Sequence, residues 1–320
     1  MSLNETKDRY KLFNSSELKH VASLEATLLR GARAWLNDND FTEVIPPHIV
    51  SATGSCELIE TLFSIPYFGK QAYLTQTAQL YLEALVPFLG GKVFCIGPSF
   101  RAEAKADDRH LTEFSLIELE FEGDFQLLLS TIESLFKRMM TTVVNTFPET
   151  YDWLSEIKYP FKRISYEEAL YTLDGFWGMD TRAEDEQKLI QMNDNQPIFL
   201  THYPKELKYF NMRENDEDPK VVNSADLILP KSGESAGCAE REFIPTQLAR
   251  RLKESGMYHQ YIAKGGDASA FDWYLNLYYK YRPKLHSGFG MGLNRVTKFV
   301  LQLDDIRATT VYPMNSETLY

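Results

Sequence analysis

Between Ser99 and Phe114 the chain reads SFRAEAKADDRHLTEF, which places Arg101, Glu103, Arg109 and His110 around a short charged loop and ends on Phe114. Arginine presents a rigid fork of N–H donors that matches phosphate oxygens. Phe114 offers a flat ring on which a base can stack. Far along the chain, Arg295 stands in the first turn of a helical stretch, GLNRVTKFVLQL. Exposed backbone N–H groups favour anions there. Asp226 and Glu234 supply hard oxygen ligands of the kind that hold a divalent metal on nucleotide phosphates. Together these residues point to a magnesium–nucleotide site. Taken alone, the charged loop also reads as a solvated turn laced with salt bridges.

Such groups need a rigid frame, and the flanking segments supply one. KQAYLT and GKVFCIG read as strands separated by a helix, AQLYLEALVPF, and LTEFSLIELEFE alternates as a strand buried on at least one face. Two strands joined through a loop at Ala104–Arg109 would project the charged residues from a hairpin. Upstream, Asn14 with Glu17 forms a capping box before SSELKHVASLEATLLRGARAWL. In that stretch Leu18, Val21, Leu24, Leu28, Ala32, Trp35 and Leu36 recur at helical spacing. FTEVIPPHIV is extended, since Pro46 and Pro47 exclude helix. A long helix is expected from about Asp124 to Thr146, whereas Tyr151 to Met212 is mixed in pattern. DLILP, GESAGCAEREF and LHSGFGMG read as strands or turns. Helices and strands are interspersed without regular βαβ alternation, so the fold class is α+β, an antiparallel sheet with helices packed around it.

The composition sets outer bounds. A 320-residue chain with 44% hydrophobic and 25% charged residues is expected to be a soluble globular protein with a sizeable core. It has no run of about 18 apolar residues, and MSLNETKDRYKLF lacks the apolar core of a secretion signal. Cys56, Cys95 and Cys238 are isolated and never spaced as CxxC, which argues against disulfides and a zinc site. The expected compartment is the cytoplasm. A net charge of −11 disfavours a broad footprint on nucleic acid and leaves room only for a local basic patch.

In their order along the chain, FTEVIPPHIV, FRAE…RHLTEF and GFGMGLNR resemble the three signature motifs of class II aminoacyl-tRNA synthetases. AYLTQTAQLYLEAL, KVFCIGPSFRAE, FKRISYEEAL, DLILP…GESAGCAERE and LHSGFGMGLNR resemble, more narrowly, the catalytic domain of asparaginyl-tRNA synthetase. The resemblance runs from about residue 20 to the C-terminus and implies one catalytic domain over 1–320. It implies ATP and Mg2+, with Arg101 on the α-phosphate, Phe114 stacked on adenine, and His110 and Arg295 facing the outer phosphates. Glu103 and Arg109 complete the ATP set, and Asp226 and Glu234 carry the metal. For the amino acid it implies Glu57 on the α-amino group, Gln79 nearby, Arg241 on the side-chain oxygen, and Glu83 as acceptor of a side-chain amide. Glu83 stands where aspartyl enzymes carry a lysine, so the resemblance favours asparagine over aspartate. It also implies a homodimer built on the first helix and FTEVIPP.

Departures from that pattern bear on function. The first helix begins almost at the start, so an N-terminal anticodon-binding barrel is not expected, nor is sequence-specific tRNA charging by this chain alone. Leu58 and Ile59 stand where glycines usually follow Glu57, and Cys238 replaces another glycine. Asn294-Arg295 stands for glutamate-arginine, and Met314 for an arginine. The expected function is an ATP-dependent ligase that adenylates asparagine or a close analogue and transfers the acyl group to an acceptor other than a cognate tRNA. An aspartate-amidating asparagine synthetase, a minimal tRNA-charging enzyme and a non-catalytic amino-acid or nucleotide sensor stay open as alternatives.

Overall fold

The computed structural model describes residues 2–51 and 59–320. In chain order the strands are β1 (Thr42–Glu43), β2 (Ile49–Val50), β3 (Ser64–Tyr67), β4 (Lys70–Leu74), β5 (Lys92–Phe100) and β6 (Glu113–Glu122). They continue with β7 (Lys162–Ser165), β8 (Ile198–Thr201), β9 (Ser224–Leu229), β10 (Gly233–Glu240) and β11 (His286–Gly292). The helices are α1 (Ser16–Asp38), α2 (Gln79–Leu85), α3 (Phe125–Thr146), α4 (Pro148–Tyr151) and α5 (Tyr166–Leu173). After them come α6 (Ala183–Gln191), α7 (Pro245–Glu254), α8 (Gly256–Ala263), α9 (Asp272–Tyr281) and α10 (Leu293–Leu301).

The main sheet runs β1-β5-β6-β11-β10-β9-β8-β7. Its pairs are antiparallel except at the two edges, where β1 joins β5 and β7 joins β8 in parallel. A small sheet, β2-β4-β3, stands apart. The expected α+β architecture is present, and the mixed region 151–212 supplies α5, α6, β8 and the edge strand β7.

Alternation gives the main sheet two different faces. Ile117 and Leu119 of β6 and Phe289 and Met291 of β11 bury themselves with Leu24 and Leu28 of α1 and Leu135 and Met139 of α3. The neighbouring residues Glu118 and Glu120 point the other way, which the two-residue period of a strand requires. Two local expectations need correction. Ser15, not Asn14, caps α1, its hydroxyl accepting from Leu18 N at 3.2 Å. Asn14 instead receives the Lys19 ammonium at 2.6 Å. The β5–β6 connection is also wider than Ala104–Arg109: ladder pairing ends at Phe100↔Glu113, and Arg101 N adds a last bond to Thr112 O at 2.9 Å. Among the described residues no helix is long and apolar enough to cross a membrane.

Candidate active site

The second face of the sheet forms a floor of acidic side chains laid across glycines. Glu120 of β6 lies over Gly288 of β11, its register partner, and any side chain at 288 would run into that carboxylate. Glu118 similarly faces Gly290. The alternating glycines of HSGFGMG therefore make room for charge on one face while Phe289 and Met291 fill the core on the other. Glu118 accepts the Thr77 hydroxyl and the Ala78 N–H, the latter at 2.9 Å, which ties α2 onto the floor. Burial raises the Glu118 pKa, with those bonds working against it.

At one end of the floor stand the phosphate-type residues. The Arg101 guanidinium lies over the Phe114 ring, 5.3 Å from its centroid. Its Nε is buried with no hydrogen-bond partner, and no carboxylate pairs with it among the described residues. A buried donor left unmade costs about 1–3 kcal/mol. Arg101 covers one face of Phe114. Half-buried Glu103 follows, its N–H on Arg101 O at 2.8 Å. Asp107 orders the loop by accepting Arg109 N and His110 N, both at 2.8 Å, and His110 Nδ1 at 2.8 Å. Burial works to raise the Asp107 pKa, but the His110 bond and these N–H groups hold it below the ordinary range.

Arg109 pairs with Glu186 of α6 at 3.5 Å, and Glu186 also accepts Glu234 N at 3.3 Å. Arg295 of α10 donates to Glu234 O. Gly233 adopts φ +72° and has no room for a side chain against Glu186. The charged loop, the β9–β10 turn, α6 and α10 thus meet at one buried carboxyl, which burial and then the Glu234 charge push up to about 7.

The expected metal pair is brought together in part. A Cβ built on Gly237 would lie 3.5 Å from Glu234 Oε1 and 3.6 Å from Asp226 Oδ1, so both carboxylates flank one point of the floor. Glu234 is exposed, whereas buried Asp226 is bound by the Lys208 ammonium at 2.9 Å, itself 3.9 Å over the Tyr203 ring. Burial raises the Asp226 pKa and the Lys208 charge opposes it. Among the described residues no group of three or more His, Cys, Asp or Glu is placed to hold a metal. Oxygen donors of this number suit a magnesium ion that arrives on nucleotide phosphates and keeps its waters, rather than a caged resident ion.

At the other end lies a cluster in which every charge is buried. Glu83 of α2 is 0% exposed. Its Oε1 accepts Gln79 Nε2 at 2.8 Å and Asn211 Nδ2 at 2.6 Å. Its Oε2 accepts the hydroxyls of Tyr274 and Tyr278, the latter at 2.9 Å. Arg241 Nε and His286 Nε2 stand 3.6 Å from the two oxygens. Arg241 also clasps Glu120 through Nη2 at 2.6 Å and Nε at 3.2 Å.

His286 Nδ1 lies 2.8 Å from Lys284 O, a pure acceptor, and so carries hydrogen. His286 Nε2 lies 3.0 Å from the Tyr278 hydroxyl. Burial opposes a charge on His286 but is outweighed by Glu83, which leaves its pKa above the ordinary value. For Glu83 burial acts upward, yet His286, Arg241 and Tyr274 hold it below the carboxylate range. Burial pushes the Glu120 carboxyl up to about 7, with the Arg241 charge working against it.

Of the sequence-derived residues, Arg101, Arg109, Phe114, Glu234 and Arg295 gather at one end of the floor and Gln79, Glu83 and Arg241 at the other. Glu57 and Leu58 lie outside the described residues. The reading of Glu83 as an open acceptor needs correction, because four donors already fill its lone pairs. Sequence reasoning missed Glu120, Glu186, Lys208, Asn211, Tyr274, Tyr278 and His286. The run TRAEDEQKLI reads as a solvated acidic face, and only the burial of Glu186 beside Leu189 and Ile190 singles it out.

Comparison with known proteins places this geometry in context. The family described as tRNA synthetases class II (D, K and N) matches residues 3–316. The asparagine–tRNA ligase of Thermococcus gammatolerans is 38% identical over 98% of this chain and 73% of its own length. The crystal structure of asparaginyl-tRNA synthetase from Pyrococcus horikoshii complexed with asparaginyl-adenylate is similar at a TM-score of 0.87 and 34% identity, covering 98% of this chain and 72% of that one. The Entamoeba histolytica asparaginyl-tRNA synthetase in complex with asparaginyl-adenylate is similar at a TM-score of 0.86 and 29% identity, covering 98% and 71%.

Proposed function

Because the chain belongs to the class II tRNA synthetases of the aspartate, lysine and asparagine group, an ATP-dependent, aminoacyl-adenylate-forming ligase family, we propose that it activates asparagine or a close analogue. The observation that carries this reading is Arg101, a half-buried guanidinium with a buried, unpartnered Nε, lying on Phe114 at the mouth of the acidic floor. The amino-acid carboxylate attacks the α-phosphorus, the bond to the bridging oxygen breaks, and pyrophosphate leaves. Such a step needs in-line positioning and neutralised charge rather than a protein nucleophile.

In this reading Arg101 holds the α-phosphate and Phe114 stacks on the base. Glu103, Arg109, His110 and Arg295 bind the rest of ATP. Glu234, with Asp226 behind it, would hold Mg2+, which when bound neutralises the phosphate charge. Arg241 meets the side-chain oxygen of the amino acid, and Glu57 its α-amino group. The acyl acceptor is something other than a cognate tRNA, and a net charge of −11 supports this by repelling a polyanion.

A homodimer in the cytoplasm is part of the proposal. Ile45, 94% exposed in the segment after α1, supports a second subunit covering it, and two buried free thiols, Cys95 and Cys238, suit a reducing compartment. The test is ATP–pyrophosphate exchange over a panel of amino acids. Exchange that depends on asparagine or its amide relatives supports the reading. Exchange absent with every amino acid sinks it.

A further inference from the structure

The segment from Asp305 to Met314 pins the charged loop at two points. Ile306 N donates to Asp108 O at 2.8 Å, and Thr112 N donates to Met314 O at 2.9 Å. Lys298 of α10 adds a second, longer bond to Asp108 O at 3.4 Å. Between the two anchors the segment makes a 3-10 turn, Ile306–Thr309. Carbonyls at the end of such a turn lack partners within it, and Arg9 supplies a donor to them. It is 0% exposed, and its guanidinium donates to Thr310 O at 2.7 Å, Val311 O at 3.2 Å and Arg307 O at 3.5 Å. The same group reaches Leu3 O and Glu5 O, which gathers residues 3–9 around it. All five acceptors are backbone carbonyls, and no carboxylate pairs with Arg9 among the described residues. Beside it, Tyr320 Oη donates to Thr6 O at 2.6 Å, and Phe13 meets Tyr312 edge-on with ring centroids 5.6 Å apart.

We propose that Arg9 is a positioning residue for the nucleotide end of the site, acting through the 305–314 segment on the charged loop. The proposal rests on the nucleotide-binding reading above and deepens it. Burying a guanidinium carries a desolvation cost that is offset only where its N–H groups meet acceptors. An apolar side chain would fill the same space without that cost, but it would leave the carbonyls of Arg307, Thr310 and Val311 without a common donor. Arginine suits the task because its planar fork fixes the directions of its N–H bonds, and so of the carbonyls that meet them. Setting those three carbonyls fixes the backbone that carries Ile306 N and Met314 O. Through these two groups it sets Asp108 and Thr112, and Arg109 and His110 lie between them. The effect therefore falls on the phosphate-type residues and not on Glu83 and Arg241 at the other end of the floor.

Pyrophosphate exchange and amide hydrogen exchange on the full chain test this in the wild type, Arg9→Met and Arg9→Lys. Arg9→Met should raise KM for ATP about tenfold while KM for asparagine stays within about twofold. Arg9→Lys, which keeps the charge but loses the fork, should fall between Arg9→Met and the wild type. Without nucleotide, the amides of Ile306 and Thr112 should exchange hydrogen about tenfold faster in Arg9→Met, while those of β11 keep their wild-type rates. Coupling is reciprocal, so ATP added to the wild type should slow hydrogen exchange at Lys11 and Phe13, whose N–H groups bond within the turn around Arg9. Should Arg9→Met fail to fold, Arg9→Lys and this wild-type effect of ATP carry the readout. A KM for ATP that is unchanged or rises only in step with that for asparagine overturns the proposal. So does unchanged hydrogen exchange at Ile306 and Thr112 in Arg9→Met, or at Lys11 and Phe13 when ATP binds. A wild type that binds no ATP would instead remove the nucleotide reading, and faster exchange at Ile306 and Thr112 in Arg9→Met would still assign Arg9 to the loop.

Discussion

Replacing Glu83 by glutamine keeps the side-chain volume and removes one buried charge. Arg241 and His286 each stand 3.6 Å from that carboxylate. At an effective dielectric of about 20, a unit pair at this distance is worth roughly 5 kcal/mol before desolvation is counted. The substitution also puts an amide N–H where one of four donors now points, so at least one of Gln79, Asn211, Tyr274 and Tyr278 must turn away. Part of the loss is recovered, because His286 can shed its proton once its counter-charge is gone. The net cost should be about 3–5 kcal/mol, the range seen when one partner of a buried ion pair is removed.

Equilibrium urea unfolding measures the loss, and the nitrogen chemical shifts of His286 report its charge. In the wild type the His286 pKa is raised, so its contribution to stability is complete below the ordinary histidine value and fades as pH rises through the folded value. Glu83→Gln should abolish that slope and show a neutral imidazole at pH 7. A loss under about 1 kcal/mol with His286 still doubly protonated would refute the charged-cluster reasoning.

Arg101→Ala should cut pyrophosphate exchange about a hundredfold, roughly 3 kcal/mol of transition-state stabilisation, without lowering stability; unchanged exchange would mean the nucleotide lies elsewhere. Glu186→Ala should free Arg109 and the Gly233–Glu234 turn and raise KM for ATP about tenfold while KM for asparagine moves less than twofold; an equal rise in both would reduce Glu186 to a structural role. Glu25 of α1 is pushed up to about 8 by burial, so folding favours its neutral form and stability should fall as pH rises from about 4.5 to 8. Glu25→Gln should flatten that fall, by at most about 5 kcal/mol, and parallel pH profiles for the two proteins would contradict it.

The legible parts of this molecule are those with local physics. LTEFSLIELEFE alternates because β6 has a core face and a charged face, and both faces are visible in ten residues. Arg101, Phe114 and Arg295 could be grouped because each sits at an element boundary with a recognisable residue type. The Asn14–Glu17 box failed by one residue, since Ser15 competes for the same cap with a shorter side chain. What stayed hidden depends on distant segments meeting. Glu186, Lys208 and Asn211 come from the mixed stretch between Tyr151 and Met212. Tyr274, Tyr278 and His286 join Glu83 across some 190 positions of chain. No periodicity announces that two tyrosines will share a carboxylate, or that Lys208 will take Asp226.

Native mass spectrometry after incubation with ATP, Mg2+ and asparagine tests the central claim most directly, because class II synthetase chemistry leaves an acyl-adenylate on the protein. The protein should carry the mass of asparaginyl-adenylate, in amounts that fall away when Arg101 is replaced by alanine and when aspartate replaces asparagine. Protein that carries only intact ATP with asparagine present, or an adenylate formed from aspartate alone, would contradict the account.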